Sequence, residues 1–262
     1  MIVIQNFING EFFSSDQNLD DINPANGQII ASIPNSSRKE VDLAVQAADS
    51  SRESWSALSI DERALWLSKI ADALETRSEE IASLESLDTG KPISLARAVD
   101  ASRSVANFRF FGEFAKDFSQ DNFEMDDATN HVIFKPVGIA GLITPWNLPL
   151  YLLSWKIAPA IVMGNTVIAK PSELTPLTAN LLAEVIHEIG LPKGVVNIVH
   201  GLGSDVGQAI VEHPKINLIS FTGGTATGKK VAETAAPMFK KLSLELGGKN
   251  ATLVLDDADI DA

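Results

Sequence analysis

The 262-residue sequence contains no cysteine. Disulfides, thiolate metal sites and thiol nucleophiles are therefore excluded within these residues. Basic residues are also few, with 21 lysines and arginines against 34 aspartates and glutamates, which gives a formal net charge of −13. Nucleic acids and anionic membrane surfaces bind to basic protein faces. We therefore predict that neither is a partner, and we attribute the acidity to a solvated surface.

Long hydrophobic runs are missing as well. The longest apolar stretch, residues 148–164, is interrupted by Pro149, Lys156 and Pro159, so it is too short and too polar to span a bilayer. The first ten residues lack the basic and apolar regions of a signal peptide, so we expect a cytoplasmic location. We expect no metal site, because no metal-binding spacing relates the four histidines, which are His131, His187, His200 and His213.

A hydrophobic fraction of 45% is sufficient for a sizeable core, and the length fits one large domain or two small ones. The turn residues Asn9 and Gly10 lie between alternating runs, which predicts a hairpin within residues 2–13. A short strand is predicted at 28–33. The N-terminal segment therefore begins with β structure.

Residues 38–119 are then predicted to be helical. Apolar residues recur at steps of three and four in the first helix, as they do on one face of an amphipathic helix. A capping box beginning at Ser59 predicts a long second helix, which ends near Gly90, a residue suited to a helix C-terminus. A third helix is predicted at about 94–118.

The pattern changes after residue 119. Polar turn residues separate two extended runs within 120–137, which predicts a protruding hairpin. From residue 138 continuous apolar strands alternate with helices, an arrangement typical of a parallel sheet covered on both faces. The last two strands are predicted at 242–246 and 251–255. The predicted fold class is α/β: a Rossmann-like parallel sheet with helices on both faces, an N-terminal helical segment and a protruding β-hairpin.

Polar and glycine-rich motifs follow successive strands of this predicted sheet. Ligands of parallel α/β sheets bind at the carboxyl ends of the strands. We therefore predict one composite site from five segments, which are Thr144–Asn147, Lys170–Glu173, Gly201–Gly207, Thr222–Gly224 and Glu245–Gly248.

Two segments could contact phosphate groups. The backbone amides of residues 201–207 could hold a pyrophosphate, but a tight structural turn is the commoner role of such a sequence. Residues 221–228 resemble a phosphate-binding loop, yet they lack its Gly-Lys-Ser/Thr ending. That departure excludes the nucleotide-hydrolase interpretation.

Lys170 and Glu173 place a cation and a carboxylate just after a strand, where both could hydrogen-bond ribose hydroxyls. The alternative is a surface ion pair. A carboxylate here would repel a 2′-phosphate, so we predict a preference for NAD over NADP.

Asn147 and Glu245 are the candidate reactive polar groups. The amide of Asn147, just before a helix that begins at Pro149, could stabilise an oxyanion; the alternative is an ordinary helix N-cap. Glu245 lies in an apolar strand, where burial would raise its pKa and suit it to general-base catalysis. Its alternative is a carboxylate on the solvent face of the strand.

The combination and order of these motifs resemble the aldehyde dehydrogenase superfamily over essentially the whole chain. The resemblance rests on 145–156 (PWNLPLYLLSWK), 170–173 (KPSE) and 244–249 (LELGGK), with 88–92 (DTGKP) in the N-terminal region. In that family a cysteine thiolate attacks an aldehyde, hydride passes to NAD(P), and water hydrolyses the thioester. The resemblance implies NAD as cofactor, a small aldehyde as substrate and a homo-oligomer.

The resemblance also implies roles for individual residues. Asn147 corresponds to the oxyanion donor and Glu245 to the general base. Cofactor contacts are expected from Thr144, Pro145, Trp146, Lys170, Ser172, Glu173, Gly203, Gly207, Phe221, Thr222, Gly223, Gly224, Leu246 and Gly247. Gly224 stands where many members have serine, so no side-chain contact is expected from it.

A finer resemblance, carried by residues 107–111 and 148–156, points to the branch that oxidises 2-hydroxymuconic or 2-aminomuconic semialdehyde. It implies that Arg109 binds a substrate carboxylate, for which a guanidinium is well suited, and that Trp155 also contacts substrate. Arg109 could instead be an ordinary exposed helix residue. Betaine-aldehyde-type enzymes are the alternative branch.

The resemblance divides the chain into three parts. Residues 1–119 form the N-terminal hairpin and helical part of the cofactor domain, 120–137 the oligomerisation hairpin, and 138–262 the Rossmann-like core. The family's cysteine-bearing catalytic domain is absent from the sequence, so we expect a truncated form that is inactive alone. The alternatives are a module that binds NAD without redox turnover and a module that joins other subunits.

Overall fold

The computed structural model describes residues 1–118 and 122–259. The chain begins with five short strands, β1 (Ile2–Val3), β2 (Asn6–Ile8), β3 (Glu11–Phe13), β4 (Asn18–Ile22) and β5 (Ile29–Pro34). Five helices follow, α1 (Arg38–Ala57), α2 (Ile60–Thr76), α3 (Ser78–Thr89), α4 (Ile93–Leu95) and α5 (Ser102–Lys116). A π-helical segment, Ala96–Ala101, connects α4 to α5.

The second half alternates strands and helices after a small hairpin. The strands are β6 (Asn122–Glu124), β7 (Thr129–His131), β8 (Ile139–Ile143), β9 (Thr166–Lys170), β10 (Val196–Ile198), β11 (Ile216–Thr222) and β12 (Lys241–Glu245). The helices are α6 (Pro149–Val162), α7 (Leu177–Glu188), α8 (Gln208–Glu212) and α9 (Thr225–Ala235). A π-helical turn, Gly203–Gly207, precedes α8, and a 3₁₀ turn, Ala236–Met238, follows α9.

A seven-stranded sheet organises the molecule, in the order β12-β11-β8-β9-β10-β2-β3. The first five strands are mutually parallel, as the sequence predicts, and β2 joins β10 antiparallel through the pair Phe7 and Ile198. The N-terminal hairpin β2–β3 is thus confirmed, but it extends the main sheet, which was not predicted. Burial of Phe7, with 1% of its surface exposed, accounts for this docking.

Helices cover both faces of the sheet. All ten residues of β8 and β9 are buried, as expected for parallel strands packed on two sides. One core joins the sheet to α2, α5, α6 and α7 through residues such as Leu142 and Leu153. The other joins it to α1, α8 and α9 through Ile143 and Ile168. The predicted α/β fold class is confirmed.

The long helix predicted from Ser59 to Gly90 is wrong in one respect, because it is two helices that meet at Arg77. The Arg77 backbone leaves the helical region at φ −104°, ψ 16°. Its guanidinium bonds Glu80 at 2.7 Å and Glu184 at 2.8 Å, which fixes the bend against α7. The capping box of Ser59 and Glu62 is present as predicted.

The strand predicted at 251–255 is also wrong. These residues form no strand, and Leu253, Val254 and Leu255 are exposed. Within the described residues no further strand pairs with the free edge of β12, so the apolar run lacks the neighbour that a strand needs. Apolar sequence alone was therefore an insufficient criterion here.

The hairpin predicted within 120–137 is formed by β6 and β7, which pair antiparallel from Asn122 with His131 to Glu124 with Thr129. All six strand residues are exposed. Residues 119–121 lie outside the described part of the chain. Of the helices in the described residues, none combines the length and apolar character needed to cross a membrane.

Candidate active site

The predicted motifs meet at one edge of the sheet because the carboxyl ends of five parallel strands lie there. The ends of β8 and β9 are directly connected, since the Thr144 amide donates to the Lys170 carbonyl at 3.2 Å. The ends of β11 and β12 are connected as well, because the Gly223 amide donates to the Glu245 carbonyl at 3.0 Å. Side chains that are distant in sequence are thereby brought to this edge, which forms a rim along the carboxyl ends of the five strands.

Lys170, Glu173, Gly203 and Gly207 form the first cluster on this rim. The buried Lys170 ammonium lies 2.6 Å from Glu173 Oε2, and a Cβ atom at Gly207 would lie 3.9 Å from Lys170 Cδ. Burial lowers the pKa of Lys170, although the Glu173 charge opposes this. Burial alone would raise the pKa of Glu173, but the charge and hydrogen bond of Lys170, with backbone amides that include Gly203, outweigh it and lower that pKa.

The two hydroxyl residues predicted for the cofactor site differ in their surroundings. The buried Ser172 Oγ accepts the Leu174 amide at 3.2 Å, so it shapes the turn after β9. Thr144 is also buried, but its Oγ1 has no hydrogen-bond partner among the described residues. A buried hydroxyl without a partner is costly, and this one lies on the rim where a ligand could satisfy it.

A cleft of about 750 Å³ forms the second part of the rim. It brings together residues from the turn after β8, the helix α6, and the ends of β11 and β12. Its lining includes Pro145, Trp146, Asn147, Leu148, Tyr151, Leu152, Trp155, Thr222, Gly223, Gly224, Glu245, Leu246, Gly247 and Lys249. Ten of the predicted site residues therefore lie around a single space.

Asn147 is exposed in this cleft, and no described residue hydrogen-bonds its side-chain amide. The alternative interpretation of Asn147 as a helix N-cap is wrong, because Leu148 is the N-cap residue of α6 and makes no side-chain cap bond. Pro149 at the first position needs no amide partner. The Asn147 carboxamide is consequently free to donate to a ligand.

Glu245 ends β12 opposite Thr222 of β11. Its side chain lines the cleft and also an adjoining cavity of about 350 Å³ that lies between α6 and the sheet. The premise that the strand buries this carboxylate is wrong, because alternate residues of β12 are exposed and Glu245 is one of them. Its place in the same cleft as Asn147 does not depend on that premise.

The glycine turn after β11 packs closely against an aromatic ring. Phe221 is buried, and a Cβ atom at Gly223 would lie 2.5 Å from its ring, so no larger residue fits there. The other glycine, Gly224, is the N-cap of α9 and has open space around it. Because Gly223 and Gly224 both line the cleft, the N-terminal end of α9, where anions are favoured, borders it.

Aromatic rings form the wall of the cleft nearest α6. Trp155 contacts Phe111 and Tyr151, with ring centroids 5.4 and 6.1 Å apart. Arg109 is on the same helix as Phe111 but has a different environment: its guanidinium pairs with Glu75 at 2.6 Å and Asp72 at 3.0 Å. Arg109 does not line the cleft, whereas Trp155 does.

Lys156 is a residue that the sequence reasoning missed. Its side chain lies in the adjoining cavity, where Nζ donates to Ser220 Oγ at 2.8 Å. Burial lowers the pKa of Lys156 to about 8, and the charge of Glu245 partly opposes the shift. A lysine inside the apolar helix α6 was the available indication, because lysine is seldom buried without a specific environment.

Comparison with known proteins identifies relatives along the whole chain. A family model described as "Aldehyde dehydrogenase family" matches residues 12–262. The 2-aminomuconic semialdehyde dehydrogenase of Homo sapiens is 48% identical, over 100% of this chain and 54% of the relative. The 2-hydroxymuconic semialdehyde dehydrogenase of Pseudomonas sp. (strain CF600) is 46% identical, over 98% and 55%. The chain thus spans about half the length of the curated relatives it matches.

Solved structures resemble the whole chain as well. An NAD+ complex of an aldehyde dehydrogenase from Bacillus cereus superposes with a TM-score of 0.94 at 40% identity, over 98% of this chain and 54% of that one. An aldehyde dehydrogenase from Bartonella henselae superposes with a TM-score of 0.92 at 35% identity, over 100% and 56%.

Proposed function

This chain belongs to the aldehyde dehydrogenase family, and we propose that it binds NAD and supplies the oxyanion donor and general base for oxidation of a carboxylate-bearing semialdehyde. The single observation that carries the proposal is the one cleft that Asn147 and Glu245 both line. Neither side chain hydrogen-bonds to another described residue, so both are available to a ligand. The names of two relatives, quoted above, support the substrate class.

The residues around Lys170 fit the adenosine end of NAD. The Lys170 ammonium donates to Pro171 O and Glu173 Oε2, so one of its three N–H groups is left for a ribose hydroxyl. Glu173 can accept from the same ribose, and the Thr144 hydroxyl, just after β8, has no hydrogen-bond partner among the described residues. When bound, NAD supplies the hydride acceptor.

In this proposal Asn147 donates its side-chain N–H to the aldehyde oxygen as that atom becomes negatively charged. A preorganised donor of this kind stabilises the transition state more than the ground state. Glu245 removes a proton from the water that later releases the acid. No cysteine occurs in these 262 residues, so we propose that the attacking thiolate comes from sequence outside them.

A carboxylate-bearing substrate needs a basic side chain that binds its carboxylate. Arg109 is the residue that the family resemblance implies, but Asp72 and Glu75 already neutralise it. If Arg109→Ala leaves the preference for acidic over neutral aldehydes unchanged, the assignment of Arg109 is refuted.

The role of Glu245 is tested by pre-steady-state kinetics on the full-length protein. Glu245→Gln should reduce NAD in a burst of about one equivalent per site and then nearly stop, because hydride transfer precedes hydrolysis. A matched control is Glu233→Gln, which removes an exposed carboxylate on α9. Steady-state turnover at the parental rate by Glu245→Gln would overturn the general-base role.

We also propose that the β6–β7 hairpin mediates homo-oligomerisation. Among the described residues neither strand pairs outside the hairpin, and Phe123 is 56% exposed. An exposed apolar strand edge is a surface that pairs readily with another chain.

A further inference from the structure

A cluster of buried charges lies behind the turn that carries Asn147. It consists of Glu85 on α3, Lys91 after α3 and Asp100 in the π-helical segment, with side chains 0%, 12% and 0% exposed. Lys91 Nζ lies 2.8 Å from Asp100 Oδ1 and 3.8 Å from Glu85 Oε2. Burying charges costs free energy even when they are paired, and the proposed reaction uses none of these three groups directly.

Local sequence fixes the position of Lys91. Helix α3 ends at Thr89, and Gly90 adopts the left-handed conformation with φ 74°, a turn that suits glycine. Ser86 Oγ then donates to the Lys91 carbonyl at 2.8 Å, which holds the backbone of Lys91 against α3. The side chain of Lys91 therefore extends from a backbone that is held in place.

The π-helical segment fixes Asp100. The wider turn of residues 96–101 interrupts the α-helical spacing between α4 and α5, and Asp100 is completely buried within it. Segments of this kind are rare and often occur at functional sites. Here the segment brings a carboxylate to within hydrogen-bond distance of the Lys91 ammonium.

The cluster contacts the Asn147 turn at two points. Lys91 Nζ donates to the backbone carbonyl of Asn147 at 3.2 Å. Three residues later, the Leu150 amide donates to Glu85 Oε1 at 3.0 Å, and Thr178 of α7 donates to the same oxygen at 2.8 Å. A cation thus holds the carbonyl and a carboxylate the amide of one short turn, whose N-cap residue supplies no side-chain bond.

From these contacts, and resting on the oxyanion role proposed for Asn147, we propose that Lys91 is a positioning residue that holds the Asn147 peptide so its carboxamide points into the cleft. Asp100 and Glu85 keep the ammonium in place. Without Lys91 the Asn147 carbonyl loses its donor and the peptide can rotate, which misdirects the side chain. Oxyanion stabilisation depends on donor geometry within a fraction of an ångström, so the rate should be sensitive to this rotation.

A double-mutant cycle on the full-length enzyme tests the proposal, at about pH 8 so that the pH lies above the raised pKa of Glu85, which is about 7. Asn147→Ala should lower kcat about 10²- to 10³-fold, as removal of an oxyanion donor does. Lys91→Met should lower kcat about 10- to 100-fold while the KM for NAD stays within about twofold. In the Asn147→Ala background, Lys91→Met should change kcat less than about twofold, because its effect passes through Asn147. Lys116→Met on α5, an exposed lysine paired with Glu113, is the control.

The outcomes separate the two proposals. An equal loss of kcat from Lys91→Met in both backgrounds, or no loss in either, would overturn the positioning role while leaving the function proposed for Asn147 intact. An unchanged kcat in Asn147→Ala would overturn the oxyanion role and this inference with it. If Lys91→Met leaves Asp100 unpaired and fails to fold, the neutral pair Lys91→Met/Asp100→Asn supplies the same cycle with the same expected outcomes.

Discussion

The predicted preference for NAD over NADP depends on one carboxylate, Glu173, and replacing it is the most informative perturbation of the proposed cofactor site. Glu173→Gln removes the charge but keeps an oxygen that can accept from a ribose hydroxyl and from Lys170 Nζ, which lies 2.6 Å away in the parent. The variant therefore separates electrostatic repulsion from loss of a hydrogen bond.

The magnitude follows from Coulomb's law. A doubly charged 2′-phosphate roughly 4 Å from the carboxylate is repelled by about 2 kcal/mol in a water-like medium and about 8 kcal/mol at an effective dielectric constant near 20. Glu173 is 30% exposed and partly neutralised by Lys170, so the lower value applies. About 2 kcal/mol corresponds to about a 30-fold change in dissociation constant.

Isothermal titration with NAD and with NADP measures this discrimination. The parent should bind NADP at least about 30-fold more weakly than NAD, and Glu173→Gln should remove most of the difference by tightening NADP binding. Glu113→Gln, which removes an exposed carboxylate on α5, should leave the ratio unchanged. Equal affinities in the parent, or an unchanged ratio in Glu173→Gln, would refute the reasoning.

Three further predictions concern stability, pH dependence and assembly. Burial raises the pKa of Glu85 from 4.5 to about 7, so the folded state favours the protonated carboxyl and loses that stabilisation as pH rises through 7. Relative to Glu85→Gln, the parent should lose about 3 kcal/mol of unfolding free energy between about pH 5 and pH 8. A pH-independent difference in denaturant titrations would contradict this. Burial lowers the pKa of Lys156 from 10.5 to about 8, so relative to Lys156→Met the parent should gain unfolding free energy as pH rises from about 8 to about 10, and a pH-independent difference would contradict this. Phe123→Glu should yield smaller species than the parent in sedimentation velocity, and an unchanged species would remove the hairpin from the interface.

The sequence predicted those parts of the fold that depend on a local sequence pattern alone. The continuous apolar runs of β8 and β9 predicted buried parallel strands, and the Ser59 capping box predicted a helix start. The failures depend on tertiary contacts. The break at Arg77 is fixed by Glu184 of a distant helix, and the run at 251–255 lacks a neighbouring strand. Local sequence patterns did not predict the docking of the β2–β3 hairpin on β10 either.

The candidate site likewise has features that the sequence predicted and features that it did not. Placement of motifs at strand ends predicted the shared cleft of Asn147 and Glu245, because parallel topology alone brings strand ends together. The family resemblance is confirmed by the matched family model and the relatives. The environments of Lys156 and Lys91 could not be predicted, since they depend on the cavity beside β11 and on the π-helical segment that carries Asp100.

The central claim is that one cleft uses Asn147 and Glu245 to oxidise an aldehyde with NAD. The most direct test is aldehyde-dependent NAD reduction by the full-length protein and by Asn147→Ala/Glu245→Gln, with NAD binding measured on both. The account predicts turnover of a carboxylate-bearing semialdehyde by the parent, and a double variant that binds NAD with parental affinity but does not turn over. Parental turnover by the double variant, or a parent that binds NAD and oxidises no such aldehyde, would contradict it.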